Sequence, residues 1–203
     1  MPGRAICISH ATGAGGAEVA RAVAEELGYR YVDDEVISEA AEWAHLDPAF
    51  VASAERRKPL VARLLGGFGE PGSEPRLPTG DPTRGLPGDA ELRHLIASAV
   101  GSFARQGSVV LVAHAASFAA ADLDVLRVLV TASPETRAGR LAADRGVDSR
   151  AAKRLIADED AGRAHYLKRF YGVAQELPTH FDLVVNTDIL TATDAADVIV
   201  AAA

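Results

Sequence analysis

A cluster of glycines at residues 12–16 is the part of this sequence whose residue types and spacing point most directly to chemistry. The cluster follows the apolar run AICIS, which predicts a buried strand over 4–9, and it precedes a helical pattern over 17–27. Backbone amides at such a turn lack helical partners, and the helix dipole adds positive potential, so the amides can bind an anion. The residues that we predict to bind phosphate here are His10, Thr12, Gly13, Ala14, Gly15 and Gly16.

The turn meets the P-loop pattern, G-x-x-x-x-G-K-[ST], only in part. When the second glycine of the pattern is placed on Gly15, the first glycine falls on His10. The lysine, which would reach the terminal phosphates, falls on Gly16, and the hydroxyl that would meet magnesium falls on Ala17. The turn therefore keeps the amide donors of a P-loop and lacks its cation.

A dinucleotide-binding turn of the Rossmann type is a second interpretation, since Gly13 and Gly15 give G-x-G and Asp33 lies 20 residues after Gly13. Glu18 then stands at the third glycine, where its carboxylate would face the pyrophosphate. A glycine-rich connection that binds no ligand is the third interpretation. The pattern alone leaves all three open.

Positive charge is concentrated in one segment of an otherwise acidic chain. The net charge is −7, yet residues 137–169 contain nine Lys or Arg and five Asp or Glu. This balance does not favour nucleic-acid binding, but it suits a small anionic ligand, because planar guanidinium groups bind phosphate oxygens in pairs. A solvated helix face is the alternative. The arginines that we predict to reach a phosphate are Arg137, Arg140, Arg145 and Arg163.

Further polar candidates follow predicted strands, at the sheet edge where open α/β sheets bind their ligands. A protonated imidazole at His10 or His114 would add positive charge there, and a neutral histidine bonded to backbone is the alternative. Asp34 follows the second strand and could instead cap a helix. The other histidines have no partner at metal-ligand spacing, so we expect no metal held by protein side chains alone.

Strands alternate with helices along the chain, which predicts an α/β fold with a mostly parallel sheet covered by helices on both faces. After the first strand, the predicted strands lie at 29–32, 108–113, 125–132 and 181–186. The predicted helices after the first lie at 35–45, 49–65 and 89–106, from Pro134 to Gly146, from Ser149 to about Gly172, and at the end of the chain. Seven Gly and five Pro within 66–88 predict a flexible loop, either a surface loop or a lid.

The overall composition is that of one compact domain, with 48% hydrophobic and 24% charged residues. It excludes a disordered polymer, a collagen-like fibre and a disulfide-stapled miniprotein. The single cysteine, and apolar runs far shorter than the roughly 20 residues that cross a bilayer, lead us to expect a cytoplasmic protein.

Three segments of the chain resemble one known family. The cytidylate kinase-like family, a branch of the P-loop nucleoside monophosphate kinases without a Walker lysine, opens with a sequence that resembles ICISHATGAGGAEVARAVAEELGYRYVDDEVI. Its lid helix resembles RLIADEDAGRAHYLKRFYG, in which Asp160, Arg163 and Tyr166 have the expected spacing, and its last strand resembles FDLVVNTDIL. Residues that replace arginines of the family are His10, Ala17 and His114.

The resemblance implies a three-layer P-loop NTPase-like fold in a single domain over 1–203, with a helical acceptor-side region over 34–107 and a helical lid over 137–172. It implies phosphorylation of a nucleoside monophosphate, cytidylate-like, or of a related small molecule by ATP with Mg²⁺. The implied catalytic residues are Arg137, Arg140, Asp160 and Arg163; the nucleotide-binding residues are those of the turn together with Arg145; the acceptor-binding residues are Asp34 and His114.

The lost arginines leave a second hypothesis open, because each replacement weakens phosphate binding. In it the chain is a catalytically silent P-loop protein that acts by ligand binding or assembly. Asp160 and Arg163 also lie one helical turn apart, so a salt bridge between them is an alternative to a catalytic role. The expected partner is a phosphorylated small molecule, with no nucleic acid or membrane, and a homo-oligomer is compatible with the sequence.

Overall fold

The computed structural model describes residues 3–33, 35–44, 89–113 and 116–203. Asp34, His114, the helix predicted over 49–65 and the loop predicted over 66–88 lie outside the described residues.

Five strands form one sheet in the order β2-β3-β1-β4-β5, and every pair of neighbours is parallel. Each strand coincides with a predicted strand to within two residues at either end. The strands are β1 (Ala5–His10), β2 (Arg30–Val32), β3 (Val109–Val112), β4 (Val125–Thr131) and β5 (Leu183–Asn186).

Seven described α-helices connect and cover these strands, and a short 3-10 turn at Pro178–His180 precedes β5. Four residues, 116–119, form a helix that the sequence did not predict. The helices are α1 (Gly16–Leu27), α2 (Glu35–Ala44), α3 (Asp89–Gln106), α4 (Ala116–Ala119), α5 (Pro134–Arg145), α6 (Ser149–Tyr171) and α7 (Ala192–Ala202).

Side-chain alternation along β1 explains why both faces of the sheet are covered. Ala5 and Cys7 point to one face, where they pack with residues of α3 and α6. Ile6 and Ile8 point to the other face, where they pack with residues of α1 and α7. All four are at most 2% exposed, so the predicted three-layer α/β fold is confirmed.

Local signals in the sequence set the helix ends. Ser133 caps α5 by accepting a hydrogen bond from the amide of Thr136, and Asp148 caps α6 in the same way. Gly146 and Gly172 end these two helices in the left-handed conformation that glycine adopts without strain. Among the helices of the described ranges, none has both the length and the apolar character needed to cross a bilayer.

The ends of the central strands bring three connections together at the carboxyl edge of the sheet. In register, His10 of β1 lies beside Val130 of β4, and Thr131 lies beside Asn186 of β5. The glycine turn after β1, the start of α5 and the segment after β5 are therefore neighbours.

Candidate functional site

The turn between β1 and α1 requires two of its glycines. Gly13 and Gly15 have φ values of 78° and 77°, a left-handed conformation that residues with a Cβ adopt only with strain. At Gly13 there is also no space, because a Cβ would lie 2.6 Å from the carbonyl oxygen of Arg137. The turn thus packs directly against the backbone of α5.

The start of α1 carries no side-chain cap. Its N-cap residue is Gly15, and no side chain accepts a hydrogen bond from the first turn of the helix in this described part of the chain. The amides of residues 16–18 therefore have no helical partner and keep their donor capacity for a ligand.

Three arginines of α5 and α6 donate to carbonyl oxygens of the turn. Arg137 Nε donates to the Thr12 oxygen at 2.6 Å, Arg140 Nη1 lies 3.4 Å from the Ala14 oxygen, and Arg163 Nη2 donates to the His10 oxygen. Oxygens at alternate positions of the turn, which would repel an anion, are thus each bonded to a cation. The effect is to fix the turn, while the amides of residues 16–18 stay available to a ligand.

Carboxylates balance most of this positive charge. Arg137, whose side chain is 9% exposed, forms a bidentate pair with Asp160, with N–O distances of 2.6 and 2.9 Å. Arg163 pairs with Glu176 at 3.2 Å, and the side chains of both are about nine-tenths buried. The sequence offered a salt bridge between Asp160 and Arg163 as an alternative; in the structure Asp160 pairs with Arg137, and Arg163 pairs with Glu176.

Thr187, which the sequence analysis did not single out, ties the turn to the segment after β5. Its hydroxyl donates to the Ala14 oxygen at 2.8 Å. Arg140 contacts both the hydroxyl of Thr187, at 2.9 Å, and its carbonyl oxygen, at 2.5 Å. The only sequence signal for this contact was the position of Thr187 directly after the last strand.

Glu159 of α6 places a carboxylate against the turn, and the sequence analysis missed it as well. Its Oε2 accepts a hydrogen bond from the Thr12 hydroxyl at 2.6 Å, and its Oε1 lies 3.6 Å from Arg145 Nη2. Both side chains of the Arg145–Glu159 pair are about half exposed. Thr12 and Arg145, both predicted to bind phosphate, thus contact the same carboxylate of the protein, that of Glu159.

His10 lies at the end of β1 beside these groups. Burial, together with the positive charge of Arg163, lowers the pKa of the His10 imidazole below its usual range, although Asp33 and Glu18 act in the opposite direction. The surroundings of His10 in the ligand-free chain therefore favour the neutral imidazole.

The fold brings together most of the predicted site residues at one edge. Arg145 lies at the rim, Asp34 and His114 lie outside the described residues, and the catalytic and binding roles stay predictions. Over the described ranges, no group of three or more His, Cys, Asp or Glu could hold a metal ion. The residues brought together are His10, Thr12, Gly13, Ala14, Gly15, Gly16, Arg137, Arg140, Asp160 and Arg163.

Solved structures with similar folds define the class of this protein. An uncharacterized protein from Eubacterium ventriosum has a TM-score of 0.66 at 15% identity, over 98% of this chain and 97% of that one. A sugar kinase from Janibacter has a TM-score of 0.52 at 14% identity, over 98% and 94%. Shikimate kinase from Bacteroides thetaiotaomicron has a TM-score of 0.50 at 15% identity, over 97% and 95%. At these identities the likeness shows the fold alone, and that fold is the one of the P-loop kinases.

The sequence gives the narrower assignment. The cytidylate kinase-like family matches residues 5–189, and this chain belongs to that family. No curated protein matches the chain in sequence.

Proposed function

We propose that this protein is a nucleotide kinase-like phosphotransferase that uses ATP with Mg²⁺. Its acceptor in this proposal is a nucleoside monophosphate, cytidylate-like nucleotides first, or a related phosphorylated small molecule. The observation that carries the proposal is the turn at residues 12–16, whose carbonyl oxygens are bonded to arginines while the amides at the start of α1 are uncapped. An amide cradle of this kind suits the phosphates of a nucleotide.

Phosphoryl transfer depends mainly on alignment and on neutralising charge, so this chain needs no covalent nucleophile. The amides of residues 16–18 would bind phosphate oxygens. The N–H groups of Arg137 and Arg140 that are not bonded within the protein would stabilise charge that develops on the transferred group. Asp160 orients Arg137 through two hydrogen bonds. Arg163 holds the strand end through the His10 oxygen.

Magnesium fits this site as a companion of the nucleotide. The described residues offer no group of ligands for a metal on its own, and Mg²⁺ commonly retains water and binds through substrate phosphates. The metal would supply charge neutralisation between the phosphates, and the protein would supply their orientation.

The rest of the chain is assigned in the same proposal. The chain is a single domain over 1–203. Region 34–107, which includes Asp34, binds the acceptor together with His114, and region 137–172 acts as the lid. The lid assignment is supported by the contacts that α5 and α6 make with the glycine turn. A cytoplasmic location, where ATP and nucleotides are abundant, goes with this function.

A catalytically silent binding protein is the second candidate, and a specific observation favours it. Arg137, Arg145 and Arg163 each already pair with a carboxylate, and the turn has no lysine. A site whose arginines are neutralised internally binds a polyphosphate less tightly than one with free cations.

A phosphate-transfer assay with ATP, Mg²⁺ and a panel of nucleoside monophosphates separates the two candidates, when it is run beside calorimetric titration with ATP. We expect turnover with at least one monophosphate, and a loss of turnover in Arg140→Ala that exposed Arg150→Ala does not show. ATP binding without turnover on any acceptor would favour the silent protein. Absence of ATP binding would contradict the kinase proposal and would leave the silent protein, acting through another ligand or through assembly, as the better account.

A further inference from the structure

We propose that His10 and Gly16 have exchanged the roles of two P-loop positions, so that His10 supplies the cation that a P-loop places on the helix. This inference rests on the proposed phosphate site and goes beyond it, because it identifies what replaces the missing lysine. In the P-loop pattern the first position is glycine and the position of Gly16 is lysine. Here the side chain is at the first position and the glycine is on the helix.

The geometry at Gly16 supports this exchange. A Cβ built on Gly16 would lie 2.2 Å from the Cβ of His10 and 2.3 Å from its Cγ, well below the 3.0 Å that real Cβ atoms keep. The Cβ of His10 is fixed by the backbone of β1, so no rotation of the imidazole relieves the overlap. A side chain at position 16 and a side chain at position 10 therefore exclude each other.

The backbone does not require glycine at position 16. Gly13 and Gly15 have positive φ values, and Gly16 does not. Two other helical glycines differ from Gly16: a built Cβ on Gly139 has nothing within 4 Å, and one on Gly101 meets only the flexible end of the Arg105 side chain, at 3.0 Å. The requirement at Gly16 is steric and is set by His10.

The exchange places the imidazole beside the first turn of α1. A phosphate bound to the amides there would lie close to the ring, and its negative charge would favour the imidazolium form. The charged groups that face His10 are Arg163, which opposes protonation, and Asp33 and Glu18, which favour it. Ligand binding then takes up a proton, so affinity rises as pH falls through the pKa of the complex.

Three variants test the exchange: Gly16→Lys, His10→Gly, and the double variant His10→Gly/Gly16→Lys. We expect Gly16→Lys alone to lower the Tm by about 3–10 °C, the effect of overpacking in a domain of this size, and the double variant to regain most of that loss. Recovery is the decisive result, because His10→Gly alone can only remove contacts. A double variant no more stable than Gly16→Lys would overturn the steric part of the inference.

Titration with ATP at pH 6 and pH 8 tests the charge. The double variant carries a lysine that stays protonated at both pH values. Its change in affinity between pH 8 and pH 6 therefore measures the contribution that protonation of ATP makes in both proteins. We expect wild type to gain more affinity at pH 6 than the double variant does, by up to about tenfold for each unit by which the pKa of His10 in the complex lies above 6. Equal gains would overturn the role of the imidazole. If wild type binds ATP at neither pH, the proposed function fails together with the charge, whereas the Tm measurements still decide the exchange.

Discussion

The connection from β1 to α1 and the connection from β4 to α5 lie side by side, because β1 and β4 pair along their length. At the start of α5, Ser133 accepts a hydrogen bond from the Thr136 amide at 3.3 Å, and Pro134 has no amide proton to satisfy. The amide of Ser133 donates to Asp188 Oδ1 at 2.8 Å. At the start of α1, the N-cap residue is Gly15, which has no side chain to accept from the first amides of the helix.

The difference shows how residue type decides which of two equivalent helix starts has its amides capped by a side chain of the protein and which does not. The carboxylate of Asp188 already places a negative charge beside the start of α5. The hydrogen bond that it accepts from the Ser133 amide is the main cause that keeps the pKa of this carboxyl below its usual range. At the start of α1, arginines donate hydrogen bonds to carbonyl oxygens of the preceding turn, and the first amides of the helix have no side-chain cap. We therefore expect an anion added to the protein to bind to the turn after β1.

The largest expected effect comes from closing the turn with a Cβ. Gly13→Ala combines a positive φ with a 2.6 Å contact to the Arg137 oxygen, so we expect a loss of about 2–5 kcal/mol in the free energy of unfolding. Gly28→Ala is the matched control, with a φ of 66° and nothing within 4 Å, and strain alone gives about 1–2 kcal/mol. Urea denaturation measures both, and equal losses would show that the turn does not pack on α5.

Removing the guanidinium behind the turn is the next test. Arg137→Ala leaves Asp160 without its partner and frees the Thr12 oxygen, so we expect a loss of about 2–4 kcal/mol in stability and weaker ATP binding. Arg150 is exposed on α6, and Arg150→Ala should stay within about 0.5 kcal/mol of wild type. Thermal unfolding and calorimetric titration of both variants would contradict the account if their effects were alike.

Opening the second helix end makes a smaller change. Ser133→Ala removes the cap of α5, and we expect a loss of about 1 kcal/mol in stability with unchanged ATP affinity. A change in ATP affinity comparable to that of Arg137→Ala would mean that the two connections share the ligand.

The smallest expected effect concerns Glu159. Its carboxylate accepts a hydrogen bond from Thr12 and pairs with Arg145. Glu159→Gln removes this negative charge from the site, so we expect it to tighten ATP binding about two- to fivefold. Asp158→Asn is the control, because it removes the same charge from the exposed neighbouring residue. Equal changes in the two titrations would show that only the overall charge matters.

The sequence predicted every described strand, because apolar runs bounded by glycine, proline and capping residues mark short buried strands and their helices. It also predicted the glycine turn, since the residue types there have few other uses. The sequence did not predict which groups the arginines contact. The sequence offered a pair of Asp160 with Arg163, one turn away, as an alternative to catalysis, yet Asp160 pairs with Arg137, 23 positions earlier, because α6 packs on α5. Thr187 approaches Ala14 only through the order of the strands.

Backbone amide NMR during titration with ATP and Mg²⁺ tests the central claim most directly. We predict that the amides of residues 16–18 shift strongly and in a saturable way, whereas those of residues 135 and 136, at the start of α5, stay nearly unchanged. Shifts at residues 135 and 136 without shifts at 16–18 would contradict the account, because the ligand would then bind at the helix end that its own side chains already satisfy.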